Sequence, residues 1–259
     1  MTWHEFNFLA PMSILLWLAA AFFAVNRKKR RTDVCMILGI LILAVFIGGL
    51  WLGLKRPPMR TMGETRLWYS FFLSLAGYLA YKRWQYSWLL VFAGIMASVF
   101  AIINLFRPEI HSMALMPALQ SWYFVPHVTV YMLSYSILAV ATIASIIQLR
   151  KLSRGGPDQA LYDFLDNVVY IGLGFLMLGL ISGAAWAKEA WGDYWSWDPK
   201  ETWAFITAAA YLLYIHLRLR QTGPRLTLWT LPVAFILLMI TWLSVSLLPA
   251  AQMSVHVYS

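Results

Sequence analysis

Apolar residues run along this chain in long unbroken blocks, not in the one-sided stripes of a water-soluble domain. Eight blocks stand near Phe8–Val25, Val34–Leu54, Leu67–Tyr81, Tyr86–Phe106, His127–Leu149, Val168–Ala187, Thr202–Leu217 and Thr227–Leu247. A bilayer core about 30 Å thick takes roughly 20 helical residues, because each spanning segment must pair its own backbone N–H and C=O groups. The pattern therefore predicts an all-α, polytopic membrane helix bundle of about eight transmembrane helices. The third and seventh blocks are short, and the flanking aromatics Trp84 and Trp203 suit the interface that lengthens them. The first block has its cations after it and none before it, so it reads as an anchored first helix and not as a cleaved signal peptide.

Composition agrees and adds orientation. Of 259 residues, 61% are apolar or aromatic and only 12% are charged, too few to cover a water-facing surface. The 20 Lys and Arg against 11 Asp and Glu leave +9. Such a balance can mark nucleic-acid binding, but the placement of the cations accounts for it without nucleic acid. Thirteen of the 20 fall in alternate connections, at Arg27–Arg31, Lys82–Arg83, Arg150–Arg154 and Arg218–Arg225. The other seven share the opposite set of connections with seven acids. Cytoplasmic loops are enriched in Lys and Arg, so the first set lies inside and both termini lie outside. The single Cys35 sits in an apolar run and reads as core packing; no intrachain disulfide or cysteine metal cluster can form. The inner connection 150–167 carries Gly155-Gly156-Pro157 and then DQALYDFLDN, which predicts a linker and a short surface helix. Residues 1–259 thus read as one integral membrane domain.

The candidate chemistry lies on the outer side. Residues 186–203, WAKEAWGDYWSWDPKETW, hold five tryptophans in eighteen positions. Trp191 and Trp195 are four apart, so within a helix they share a face and form a flat apolar platform. An interfacial aromatic belt explains the tryptophans, but it does not explain Gly192 between them or Asp198-Pro199-Lys200-Glu201 after them. Five histidines add a second clue: His4, His111, His127, His216 and His256. His127 opens the fifth block and His256 follows the eighth, both on the outer side. Two imidazoles from different segments over a tryptophan platform suit the iron of a flat macrocycle. His216 lies near the cytoplasmic end of the seventh block. His111 shares the outer loop with His127 and is the fallback ligand.

The residues also resemble a known family. GAAWAKEAWGDYWSWDPKETWAFITAAAYLLYIHLR, from Gly183 to Arg218, resembles the tryptophan-rich WWD region of haem-handling proteins. The ending DPKET is similar to the CcsA (ResC) branch of the system II cytochrome c biogenesis machinery, and unlike the DARLT-type ending of CcmC. Pro117–Val128, PALQSWYFVPHV, resembles the segment carrying the family's first outer histidine; SVHVYS at Ser254–Ser259 resembles the segment carrying the second. The resemblance implies that His127 and His256 are the axial ligands of haem iron. It makes Trp191, Gly192, Trp195, Trp197 and Asp198 the haem platform, and His216 a transmembrane histidine receiving haem b from the inner side. It also implies a CcsB (ResB)-like membrane partner, an apocytochrome c with a CxxCH motif, and a bacterial cytoplasmic or plastid thylakoid membrane. Tyr123 stands where the family commonly has tryptophan, and Val257 where serine is usual. The first four blocks hold no histidine, so the other transmembrane ligand is expected from the partner. Gly63-Glu64-Thr65-Arg66 could approach the haem propionates, although an ordinary solvated loop accounts for it better.

Three functions follow as expectations. The first is a haem-exporting subunit that, with its partner, presents haem for thioether attachment, as part of a holocytochrome c synthase. The second is a CcmC-like haem exporter or chaperone without a ligase role. The third is a respiratory subunit with permanent b-haem, which would place paired ligands along one helix or deep in the bundle; none is seen.

Overall fold

The computed structural model describes residues 1–111, 121 and 123–244. They form eight α-helices: α1 (Trp3–Val25), α2 (Lys29–Leu54), α3 (Met62–Trp84), α4 (Ser87–Phe106), α5 (Phe124–Ser153), α6 (Gln159–Trp191), α7 (Pro199–Leu219) and α8 (Pro224–Met239). A 3-10 turn, Pro108–His111, follows α4, and a π-helical turn, Ile240–Ser244, continues α8. No strand occurs among the described residues. The chain divides into two compact units, Met1–Leu115 with α1 to α4 and Met116–Ser259 with α5 to α8.

Seven helices are long and apolar enough to cross a membrane, with α8 counted through Leu243, and the protein is an integral membrane protein of the helical class. The expected third span, Leu67–Tyr81, lies in α3, which has the length but not the apolar composition. Glu64 and Arg66 occupy its first turns, Lys82 and Arg83 its last, and Ser70 and Ser74 its middle. The two serines hydrogen-bond to backbone carbonyls, Ser70 Oγ reaching Ala97 of α4 at 3.1 Å, so α3 buries its polar atoms by pairing them. Elsewhere the apolar faces stay open: Phe8, Leu15 and Phe22 on α1 are 65%, 68% and 63% exposed. Such surface is stable only against lipid or another apolar chain.

Helix starts follow local chemistry. α1, α3 and α7 each begin with a reciprocal capping box, formed by Thr2 with Glu5, Thr61 with Glu64, and Asp198 with Glu201. α1 begins earlier than the apolar block suggests, and it carries the exposed His4 in its first turn. Asp158 caps α6, accepting from Leu161 N at 3.1 Å. This cap draws DQALYDFLDN into α6 itself, so α5 and α6 are joined by residues 154–158 and the expected surface helix is the first part of a longer helix.

In the first unit, Trp17 of α1 is fully buried, and Gly39 of α2 and Gly94 of α4 face it. A Cβ on Gly39 would stand 2.8 Å from the indole, so glycine there lets the helices close on a large ring. Cys35 on α2 is half-buried, less enclosed than its apolar run suggests. In the second unit, Gly172, Gly179 and Gly183 of α6 lie against Leu138, Tyr131 and His127 of α5, each with Cβ space already taken at 2.5–2.6 Å. Small residues on one helix thus admit large ones from its antiparallel neighbour, and Ser134 Oγ donates to the Gly172 carbonyl at 2.8 Å across the same seam.

Candidate functional site

The α5–α6 seam ends at the candidate site. At the start of α5, Ser121 Oγ accepts from Tyr123 N and donates to the Glu189 carboxylate of α6, tying one helix start to the other helix end. His127 follows within the first turns of α5. Its Nδ1 lies 2.9 Å from the Gly179 carbonyl oxygen, which can only accept, so Nδ1 carries the proton and Nε2 the lone pair of the neutral ring. The ring stacks on Trp186 (centroids 5.5 Å apart, planes at 26°) and meets Tyr131 edge-on at 4.6 Å. The Cβ position of Gly183 is 2.6 Å from His127 Cε1. Position, tautomer and ring plane of His127 are therefore all set by α6. That is the arrangement a metal-ligating imidazole requires, with the second nitrogen held by a carbonyl.

Trp186 is 2% exposed and packs against Phe124 at 5.0 Å and Trp191 at 4.8 Å. Below His127, the edge and stacking contacts continue along α5 through Tyr131 and Tyr135 to Trp242. Trp191 is the last residue of α6. Gly192, at φ +94°, ends the helix in the left-handed region where glycine carries no Cβ penalty, its N–H donating to the Lys188 carbonyl at 3.1 Å.

Termination at Trp191 corrects the expected shared face of Trp191 and Trp195: no helix joins them. Trp191 groups with Trp186, whereas Trp195 groups with Trp197 in an edge contact at 5.6 Å on the connection to α7. Trp197 itself has φ +58°, a conformation costing a non-glycine residue about 1–3 kcal/mol, and it is 61% exposed. Two features hold it there: Thr202 Oγ1 donates to its carbonyl at 3.1 Å, and Phe205 meets its ring edge-on at 5.6 Å. Trp195 Nε1 is buried with no hydrogen-bond partner among the described residues.

Asp198 and Glu201 are 8% and 9% exposed. Asp198 accepts from Glu201 N at 2.8 Å, while the Glu201 carboxylate accepts from Asp198 N at 3.3 Å and Ser196 N at 2.7 Å. With Pro199 in the first helical turn, Asp-Pro-Lys-Glu is a helix start that also fastens the tryptophan-bearing connection. The Asp198 and Glu201 carboxylates are thus turned into the backbone.

His216 lies in the last turn of α7 and is exposed on the outside of the unit, separated from Asp198 by roughly 25 Å of helix at 1.5 Å per residue. Beside it, Asp166 joins Tyr214 (2.8 Å) and Arg218 (3.1 Å), and Arg218 lies over the Tyr162 ring at 4.3 Å. His256 lies outside the described residues. Among the described residues no three His, Cys, Asp or Glu side chains gather as a metal site. Of the residues that hold His127, the sequence pointed to Trp186 only as one of five clustered tryptophans and gave no role to Gly179, Gly183 or Tyr131. The four-residue spacings 179 to 183 and 127 to 131 were the available signals.

The fold and this histidine–tryptophan centre define a polytopic helical membrane protein that can present a directed imidazole beside aromatic walls. The profile of the Cytochrome C assembly protein family matches residues 5–251, and the chain belongs to that family. It is 32% identical over 244 residues to the cytochrome c biogenesis protein CcsA of Guillardia theta, covering 82% of this chain and 81% of that protein. It is 33% identical over 254 residues to CcsA of Synechococcus sp. (strain CC9902), covering 83% of each.

Proposed function

We propose that this chain is the haem-handling subunit of a cytochrome c maturation complex: it brings haem to the outer side of the membrane and presents it for covalent attachment to apocytochrome c. One observation carries the reading. His127 is pinned by the Gly179 carbonyl, stacked on Trp186 and seated over Gly183, so it offers Nε2 in one direction. Membership of the cytochrome c assembly family supports it.

In this reading haem is the cargo. His127 holds the iron through Nε2, with His256 as the second axial ligand. Trp186, Trp191, Trp195 and Trp197 bound the ring, and Asp198 with Gly192 set the backbone that carries the indoles. His216, on the far end of α7, receives haem at the inner side together with a ligand from a CcsB-like partner. Attachment joins cysteine sulfurs of the apocytochrome CxxCH segment to haem vinyl groups. The half-buried Cys35 of α2 supplies no thiol, so this chain contributes position: a ring held in one plane presents the vinyl edge to an incoming peptide.

The test is co-purification of the full chain with and without its CcsB-like partner, followed by a reduced haem spectrum and an assay for covalently attached haem on an apocytochrome substrate. Low-spin haem on the wild-type chain, with attachment only when the partner is present, supports the reading. Haem bound and released without any attachment in the reconstituted pair would leave a chaperone in its place.

A further inference from the structure

A groove that the haem site does not use opens in the second unit at the far end of α5 from His127, where α5 ends and α8 begins. Its volume is about 400 Å³, and it is lined by Leu152 of α5 and by Gly223, Pro224, Arg225 and Leu226 at the start of α8. The turn that leads into it from α7 is fixed by hydrogen bonds. Buried Thr227 donates through Oγ1 to the Thr222 carbonyl at 3.3 Å, and Thr222 N donates to the Leu217 carbonyl at 3.1 Å. A Cβ on Gly223 would meet no heavy atom beyond its chain neighbours within 4 Å, so the space beside it is open.

Position in the membrane narrows the occupant. α5 and α8 are both long and apolar enough to span, so the groove stands where two spans leave the bilayer, at headgroup depth. From it an apolar stripe runs along the outside of α8: Leu226, Trp229, Val233 and Ile236, all more than half exposed, recur at three- and four-residue spacing. From Leu226 to Ile236 the helix rises about 15 Å at 1.5 Å per residue, half of a core about 30 Å thick and so the depth of one leaflet. Beyond the stripe, Met239 to Leu243 are half-buried although helical turns continue. On α1, by contrast, the open face persists from Phe8 to Val25. A face that ends at mid-bilayer suits an acyl chain; a partner helix would run the full span.

Charge sets the headgroup. Arg150, Arg154, Arg220 and Arg225 stand exposed at this end of the unit, and none has an ion-pair partner among the described residues. The nearby acids are engaged elsewhere: Asp158 pairs with Lys151, Asp166 with Arg218, and Asp163 accepts from Gln159 on its own helix. A zwitterionic headgroup brings its own ammonium against the Arg225 guanidinium, whereas a net-negative one offers phosphate oxygens that a guanidinium grips two at a time. We propose that this groove binds an anionic phospholipid. Arg225 holds the phosphate, the glycerol end lies between Leu152 and Leu226, and one acyl chain follows Trp229, Val233 and Ile236. The site rests on the second unit's α5 and α8 and stands whether or not His127 binds iron.

The test uses the full chain, released from nanodiscs of phosphatidylglycerol and phosphatidylcholine in equal parts and weighed by native mass spectrometry. Wild type should retain phosphatidylglycerol about fivefold over phosphatidylcholine, the effect of roughly one cation near the membrane surface. Arg225→Gln should abolish that preference. Arg30→Gln, at an equally exposed cation near the start of α2, should keep it, which separates the groove from a general attraction of basic helix ends for acidic lipid. Gly223→Leu fills the open space without removing a charge and should lower retention of both lipids. Equal retention of the two lipids by wild type, or an undiminished preference in Arg225→Gln, would overturn the proposal. So would a lipid-free wild-type chain that runs as a dimer, which would give the face to a second copy of the chain.

Discussion

His127 and His111 are assembled from the same parts. Each is half-buried, stacks on a tryptophan, and lies over a glycine whose Cβ would strike its ring at 2.6 or 2.7 Å. They differ in what surrounds the ring. Nδ1 of His127 is held by the Gly179 carbonyl of the neighbouring helix, between Tyr131 and Trp186. The His111 ring also has a backbone carbonyl, that of Asn104, and its Nε2 is buried with no hydrogen-bond partner among the described residues. Stacking, a glycine seat and a carbonyl place a histidine. The aromatic walls around His127 suit it to a flat macrocycle, and His111 has no second aromatic wall among the described residues.

The comparison is broken most severely by filling the glycine seat. Gly183→Leu drives a side chain into the His127 ring, and overpacking of this kind costs about 1–3 kcal/mol. Bound haem per purified chain should fall about tenfold or more; the equivalent Gly63→Leu should leave haem content within twofold, because it strikes His111 and not His127. Asp198→Ala removes the cap that anchors the tryptophan connection, at a cost of about 1 kcal/mol. Haem retention and cytochrome c maturation should drop severalfold in a cell-based assay, and Asp198→Asn, which keeps an acceptor, should recover much of both.

A smaller effect separates the two histidines by pH. Burial holds the His111 pKa below its ordinary value near 6.5, against the opposing pull of the Asn104 carbonyl, Glu109 and Glu64. Because the folded pKa is the lower one, the unfolded chain binds the proton first as pH falls. The stabilising contribution of the neutral ring is full above about pH 6.5 and is lost as pH drops toward the depressed value. Thermal unfolding of His111→Gln should therefore be less acid-sensitive than wild type over that window; equal sensitivity would remove His111 as the titrating group. Smallest of all, His4→Ala should leave haem content and maturation unchanged, since His4 is exposed in the first turn of α1.

Much of the fold was legible because a bilayer demands long apolar helices, and their blocks stand plainly in the sequence. What was missed is local. α3 falls short of the apolar composition of the other helices because of its serines and terminal charges, which the sequence shows; what it does not show is that Ser70 reaches the Ala97 carbonyl, Arg56 grips Glu64 and Lys82 pairs with Asp33. The surface helix after Pro157 merged with α6 because Asp158 caps it directly. At the site, the residue types were readable and the geometry was not: Gly192 between two tryptophans was noticed, yet its left-handed turn, which parts Trp191 from Trp195, exists only in the folded backbone. Asp-Pro-Lys-Glu stood out as something an aromatic belt does not explain, but its part as the reciprocal cap of α7 belongs to the folded backbone.

The central claim is that Nε2 of His127 binds haem iron. Replacing His127 with glycine and purifying the chain with the CcsB-like partner proposed for it, then adding imidazole, tests it most directly, because free imidazole can occupy the space the ring leaves. The expected result is loss of low-spin character or of bound haem in His127→Gly, restored by imidazole, with His111→Gly unaffected. A His127→Gly chain that keeps the wild-type reduced spectrum and haem content without imidazole would contradict the assignment.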